Sequence, residues 1–253
     1  DLLAKSGLGA YVGRVCMDQN TPDRESTAGA IRESRRFLQL AGGKSALVRP
    51  IVTPTLSMVC SHELMAALGR QAAEFSAPIQ AHLSENREEI RLTLKYFPEA
   101  QDFGDTYDQA GCFGQVPTVM AHCIHLTDRE KERMAARGIL AAHNPHSNWN
   151  LLSGAMKLAE YHDLGIRVGL GSDIAGGHTL SMFSTMAAAV QAGACHYVNG
   201  VYPRPVTAPE ALYTATKGGG SFFGKVGSFE PGYDFDCLAV DDSAAQEFNS
   251  YSL

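Results

Sequence analysis

The chain has 253 residues, 45% of them hydrophobic and 19% charged, with a formal net charge of −6. That is material for one α/β barrel or two smaller domains with an ordinary soluble core. The acidic balance argues against nucleic acid or an anionic membrane as partner, and no apolar run reaches the ~20 residues of a membrane-spanning helix.

The first residues, Asp1-Leu2-Leu3-Ala4-Lys5, are not a signal peptide and include no Met, so a fragment or a processed product is expected. The six cysteines, Cys16, Cys60, Cys112, Cys123, Cys195 and Cys237, form no C-x-x-C pair. They read as reduced, buried thiols of a cytoplasmic protein.

In chain order, Ala10–Cys16 is the first strand-like run, and Thr27–Leu40 follows as a helix with Ile31, Phe37 and Leu38 on its apolar face. Ala46–Thr53 precedes a helix over Ser61–Phe75, with Ser61 as a plausible cap. Ile79–Leu83 precedes a helix over Asn86–Tyr96. Thr118–Cys123 leads to Thr127–Arg137, where Thr127 and Glu130 fit a capping box and Gly138 a helix stop. Ile139–His143 leads to a helix over Leu152–Asp163, and Arg167–Gly171 is the sixth strand. Gly227–Asp236 is turn-rich, and Cys237–Val240 carries a short strand signal.

Apolar strands alternating with helices predict a parallel sheet. Six strands in this order make most of a (β/α)8 TIM-type barrel over residues 1–226, with residues 227–253 as the start of an accessory β segment and tail. A flavodoxin-like open sheet is the structural alternative.

Polar groups recur where these runs end, at His82, His122, His143 and Asp173, with Glu85 three residues past His82. In a barrel the C-terminal ends of several strands converge on one site. His82 and Asp173 suit a metal, and Glu85 suits proton transfer. Singly, each has a plain reading: a satisfied structural histidine, a helix start favoured by the dipole, a helix cap. Two ligands are also fewer than the three or four that a catalytic zinc takes.

The glycines of Gly171–Gly177 fit either close approach to a ligand or a tight turn. Asn144–Asn150, which holds the only tryptophan, Trp149, fits a pocket mouth or a solvated loop. Gly218-Gly219-Gly220 lacks the context of a phosphate loop and reads as a helix terminus or packing site. No G-x-S-x-G is present.

The strings AHLSENREEI (Ala81–Ile90), VMAHCIHLTDRE (Val119–Glu130), AAHNPHSNWNLLSG (Ala141–Gly154) and VGLGSDIAGG (Val168–Gly177) resemble the guanine deaminases of the amidohydrolase superfamily. VGRVCMDQN, RPIVTP and FEPGYDFD fit the same resemblance. It implies a zinc-dependent hydrolytic deamination of a purine in purine salvage or catabolism, one Zn2+ per complete chain, and a homodimer.

By the same resemblance His82 is a zinc ligand on the fifth barrel strand, Glu85 the proton shuttle, and His122, on the sixth, a polarising group. Asp173, on the eighth, is ligand and base, and His143, on the seventh, is supportive. Substrate contacts are expected from Thr55, Leu56, His82, Leu83, Ser84, Glu85 and Asp173.

Two departures stand out. The family's His-x-His pair on strand one is absent, so the expectation is a fragment holding strands three to eight that is itself inactive. Thr55-Leu56 also replaces the family's purine-reading Arg-Phe. The alternatives are a deaminase of another aminopurine, a pterin or a triazine, or a non-catalytic barrel.

Overall fold

The computed structural model describes residues 2–240. Its frame is six strands: β1 (Ala10–Val15), β2 (Val48–Thr53), β3 (Ile79–Leu83), β4 (Thr118–His122), β5 (Leu140–His143) and β6 (Arg167–Leu170). All neighbouring pairs are parallel, and the spatial order is the chain order, β1 to β6. A doubly wound sheet reverses its order at a switch point. This one does not, so the flavodoxin-like alternative falls and the sheet is an arc of a (β/α)8 barrel.

Alternate residues divide the sheet into two faces. Val52, Ile79, Ala81, Leu83, Met120, Ala141 and Val168 join one apolar core with the covering helices. The opposite face carries Gln80, whose Nε2 donates to Thr53 Oγ1 at 3.0 Å. Gly13 lies against that pair: a Cβ there would sit 1.9 Å from Thr53 Oγ1, so only glycine fits.

The helices are α1 (Leu2–Ser6), α2 (Thr27–Ala41), α3 (His62–Phe75), α4 (Arg87–Tyr96), α5 (Phe103–Gln109), α6 (Asp128–Arg137), α7 (Pro145–Asn150), α8 (Leu158–Asp163), α9 (Met182–Val198) and α10 (Ala208–Tyr213). Ser61 caps α3, Asn86 and Glu89 form a capping box on α4, Thr127 and Glu130 form the expected one on α6, and Gly138 ends α6 with φ of 63°. Leu64 and Leu68 of α3 are fully buried, each contributing about 1.5–3 kcal/mol by leaving water. Asp102 and Asp105, on and beside α5, pair with Arg129 and Arg133 of α6.

Three sequence expectations change, and the triple glycine forms as read. The helix expected over Leu152–Asp163 begins only at Leu158, because Leu152 (φ 58°) and Gly154 (φ 126°) turn the chain, and the amides of Ser153 and Gly154 bond to the Asn148 carbonyl. Cys237–Val240 forms no strand: no described strand pairs with it, and Leu238 and Val240 stay exposed. The rest of that segment, residues 241–253, lies outside the described residues. Gly218 closes a π-helical turn (Thr214–Gly218), and a Cβ there would meet the Val168 carbonyl at 2.6 Å, which makes the triple glycine a packing site. Cys16, Cys60, Cys112 and Cys123 are buried free thiols as expected, but Cys195 and Cys237 are exposed. No described helix is long and apolar enough to cross a membrane.

His143 shares its strand face with Ala141 of the core. It is fully buried, and neither ring nitrogen has a hydrogen-bond partner among the described residues. Burial, reinforced by His196, His122 and His162, depresses its pKa to about 3. The unfolded chain therefore takes up a proton first as pH falls, and stability present above pH ~6.5 is lost progressively toward pH 3. Glu89, raised to about 7 by burial, acts in the opposite sense, so a paired comparison isolates the histidine. Urea melts at pH 7 and pH 5 should show His143→Leu losing about 1 kcal/mol or more less than the parent on acidification; equal losses would exclude this role.

Candidate active site

The site is built where β3, β4 and β6 end. His82 lies on the Gln80 face of β3, away from the core. Its backbone N–H donates to the Thr55 carbonyl at 2.9 Å, and its Nδ1 lies 2.7 Å from the same oxygen. A carbonyl can only accept, so Nδ1 carries a proton and donates it to Thr55, which leaves Nε2 as the nitrogen available to a ligand. The His82 carbonyl accepts from the buried Tyr107 hydroxyl at 2.9 Å, and that hydroxyl accepts the Ser57 N–H at 3.0 Å.

His122 reaches the site by a break in alternation. It pairs in register with Leu83, so a regular strand would send its side chain into the core. Its φ of 70° is left-handed, a conformation uncommon outside glycine. The ring instead stacks on His82, with centroids 5.3 Å apart and planes 17° from parallel. Ser84 (φ 49°) and Cys123 (φ 47°) are left-handed too, and the strand ends are held by Cys123 N–H to Leu83 O, and Ile124 and His125 N–H to Ser84 O. Asp173 (φ 46°), three residues past β6, is the fourth such residue around the site. Backbone cost concentrated in this way is typical of functional sites.

The carboxylates complete the cluster. His122 Nε2 lies 3.8 Å from Glu85 Oε2 and 3.9 Å from Asp173 Oδ2. These distances are too long for hydrogen bonds, so the three groups stand near one another without bonding directly. The other Glu85 oxygen, Oε1, accepts from Ser153 Oγ at 2.7 Å. The Glu85 N–H itself donates to Glu89 Oε2 at 3.0 Å, so the α4 capping box also sets the entry of Glu85.

His82, Glu85, His122 and Asp173, all singled out in the sequence, thus come together. Thr55 joins through its carbonyl, and Leu56 packs on the core. Leu83 is wholly buried on the core side, whereas Ser84 contributes a left-handed turn and a buried hydroxyl that has no partner among the described residues. His143 lies in the core rather than beside the carboxylates. The Gly171–Gly177 glycines serve close packing: a Cβ on Gly171 would meet Asn144 Oδ1 at 2.2 Å, and one on Gly176 would meet Ser147 Oγ at 2.5 Å. Ser153 and Asn148, whose Oδ1 lies 2.9 Å from His122 Nδ1, are the functional candidates that the sequence reading missed. Their only sequence signal was a polar loop after a strand.

His82 and Asp173 are two donors of the type zinc prefers, and the fixed Nδ1 of His82 is how a ligating imidazole is usually oriented. A catalytic zinc takes at least three protein ligands, and among the described residues no group of three His, Cys, Asp or Glu is spaced to hold a metal. The pair alone does not fit the ion.

The solved guanine deaminase from C. acetobutylicum with bound guanine superposes with a TM-score of 0.93 at 44% identity, over 96% of this chain and 59% of that one. The guanine deaminase of Dictyostelium discoideum is 35% identical over 95% of this chain, and that of Homo sapiens 35% over 97%. The chain spans 55% of the length of each of these two relatives. The profile of the Amidohydrolase family matches residues 3–251, and the chain belongs to that family.

Proposed function

We propose that the protein to which this chain belongs catalyses the hydrolytic deamination of an aminopurine, with guanine as the leading substrate, and serves purine salvage or catabolism. The observation that carries this reading is the convergence of two carboxylates on one imidazole nitrogen: Glu85 Oε2 and Asp173 Oδ2 both face His122 Nε2 at just under 4 Å. Likeness to guanine deaminases along nearly the whole chain supports it.

In the reaction, water oxygen bonds to the ring carbon that bears the amine. Asp173 takes the water proton, and Glu85 protonates the ring nitrogen next to that carbon. Glu85, now ionised, takes the proton that remains on the added oxygen and passes it to the amine; the C–N bond breaks with its electron pair leaving on nitrogen, ammonia departs as the carbonyl forms, and the proton held by Asp173 returns to Glu85. Ser153 fixes one oxygen of Glu85 and leaves the other free to move the proton. His122 polarises the attacking water or the substrate. His82 and Asp173 would supply two donors to a zinc, whose chemistry is to bring a bound water toward neutral pKa; further donors are required.

Ammonia release by the protein should fall about 10²-fold or more in Glu85→Gln with KM little changed, since positioned acid–base groups typically contribute that much. Near-parental turnover would remove Glu85 from the role.

A second reading, in which another aminopurine, a pterin or a triazine is the substrate, is favoured by Thr55-Leu56. Leu56 packs on the core and offers no ring to stack. A charged hydrogen bond contributes ~1.5–3 kcal/mol, so Thr55→Arg should raise kcat/KM for guanine relative to other aminopurines about 10-fold or more. No change in that ratio across a panel of aminopurines, pterins and triazines would show that position 55 does not read the substrate.

A further inference from the structure

The Asn144–Gly154 segment links two members of the cluster that touch each other only loosely. Asn148 is fully buried. Its Oδ1 lies 2.9 Å from His122 Nδ1, while its Nδ2 has no partner among the described residues. The Asn148 carbonyl accepts from the Ser153 N–H at 2.8 Å and the Gly154 N–H at 3.3 Å. Ser153, 5% exposed, donates through Oγ to Glu85 Oε1 at 2.7 Å, and its carbonyl lies 2.8 Å from His125 Nε2. An unbroken path therefore runs from the His122 ring through Asn148 and Ser153 to the Glu85 carboxylate. The chain can make this turn because Gly154 takes φ of 126°.

We propose that the Asn148–Ser153 turn is a positioning clamp that holds His122 and Glu85 as one unit, so that Nε2 of the first and the free Oε2 of the second address the same reacting atom. The identity of that atom rests on the deamination reading, whereas the clamp itself does not. Each side chain alone has several rotamers; the turn fixes one nitrogen of the ring and one oxygen of the carboxylate, and the two anchors share a backbone hydrogen bond. Loosening either end therefore moves both groups, and misplacements of about 1 Å are enough to cost 10²-fold in rate.

The test combines kinetics with a readout independent of turnover. Asn148→Ala and Ser153→Ala should each lower kcat about 10-fold or more with KM within about twofold, and the double variant should lose little beyond the worse single. In histidine-labelled protein, the His122 ring 15N resonances, assigned with His122→Gln, should shift in Asn148→Ala. They should shift also in Ser153→Ala, although Ser153 does not contact the ring. Asn148→Asp, which keeps an acceptor opposite Nδ1, should retain the Nδ1–H signal and carries the measurement should Asn148→Ala not fold. Losses in kcat that multiply, or His122 resonances unmoved by Ser153→Ala, would overturn the clamp. If the parent protein deaminates no aminopurine, the proposed function fails while the ring resonances still decide the clamp.

Discussion

The left-handed backbone at His122 is the constraint on which the site depends. A parallel strand delivers its side chains to alternate faces, and register with Leu83 would assign His122 to the hydrophobic core. Reversing that assignment brings the ring over His82 and between two carboxylates. The neighbouring left-handed residues, Ser84 and Cys123, and the amides bonded to the Leu83 and Ser84 carbonyls hold the conformation in place. A position such as this costs of order 1–3 kcal/mol and persists because the surroundings over-determine it.

Beneath this layer the structure is conservative. The core face of the sheet is mostly apolar and closed by helices, with His143 as its buried polar exception, and the carboxylates near it sit at helix starts where backbone N–H groups bond them. Glu130 is buried, but it accepts from the Thr127 backbone and hydroxyl and from the Gly104 N–H. Burial still raises its pKa. Glu89 serves the same function at the start of α4 and at the same time ties down the backbone of Glu85. The capping boxes are therefore part of how the strand-end loops are aimed as well as helix terminations.

Much of the frame was legible in the sequence because its signals are local. Ile79–Leu83 matches its strand end for end, the others agree to within about two residues, and the Thr127/Glu130 box and Gly138 stop form as read. The helix α9 was not legible: its Ala- and Gly-containing run has no charged face to contrast with an apolar one, so no helical period stands out. At the site, His82, Glu85, His122 and Asp173 announced themselves by standing where apolar runs end. Asn148 and Ser153 did not, since a buried amide and hydroxyl have no sequence signature apart from the partners that the fold brings to them. His143 gave the same signal as His122 but keeps regular strand geometry, and so stays in the core.

The strand order has a consequence for how the molecule assembles. Every strand pairs with the one nearest it in the chain, so no sheet contact needs more than one crossover to be closed first. Loop-closure entropy grows only with the logarithm of loop length, and here each closure is short. The sheet can grow one strand-and-helix unit at a time, each new unit docking on an edge already formed. The reacting cluster draws on β3, β4 and the residues past β6, so it is complete only when that whole stretch of the sheet is in place. A unit added out of order would leave His82 and His122 stacked but without Asp173 beside them.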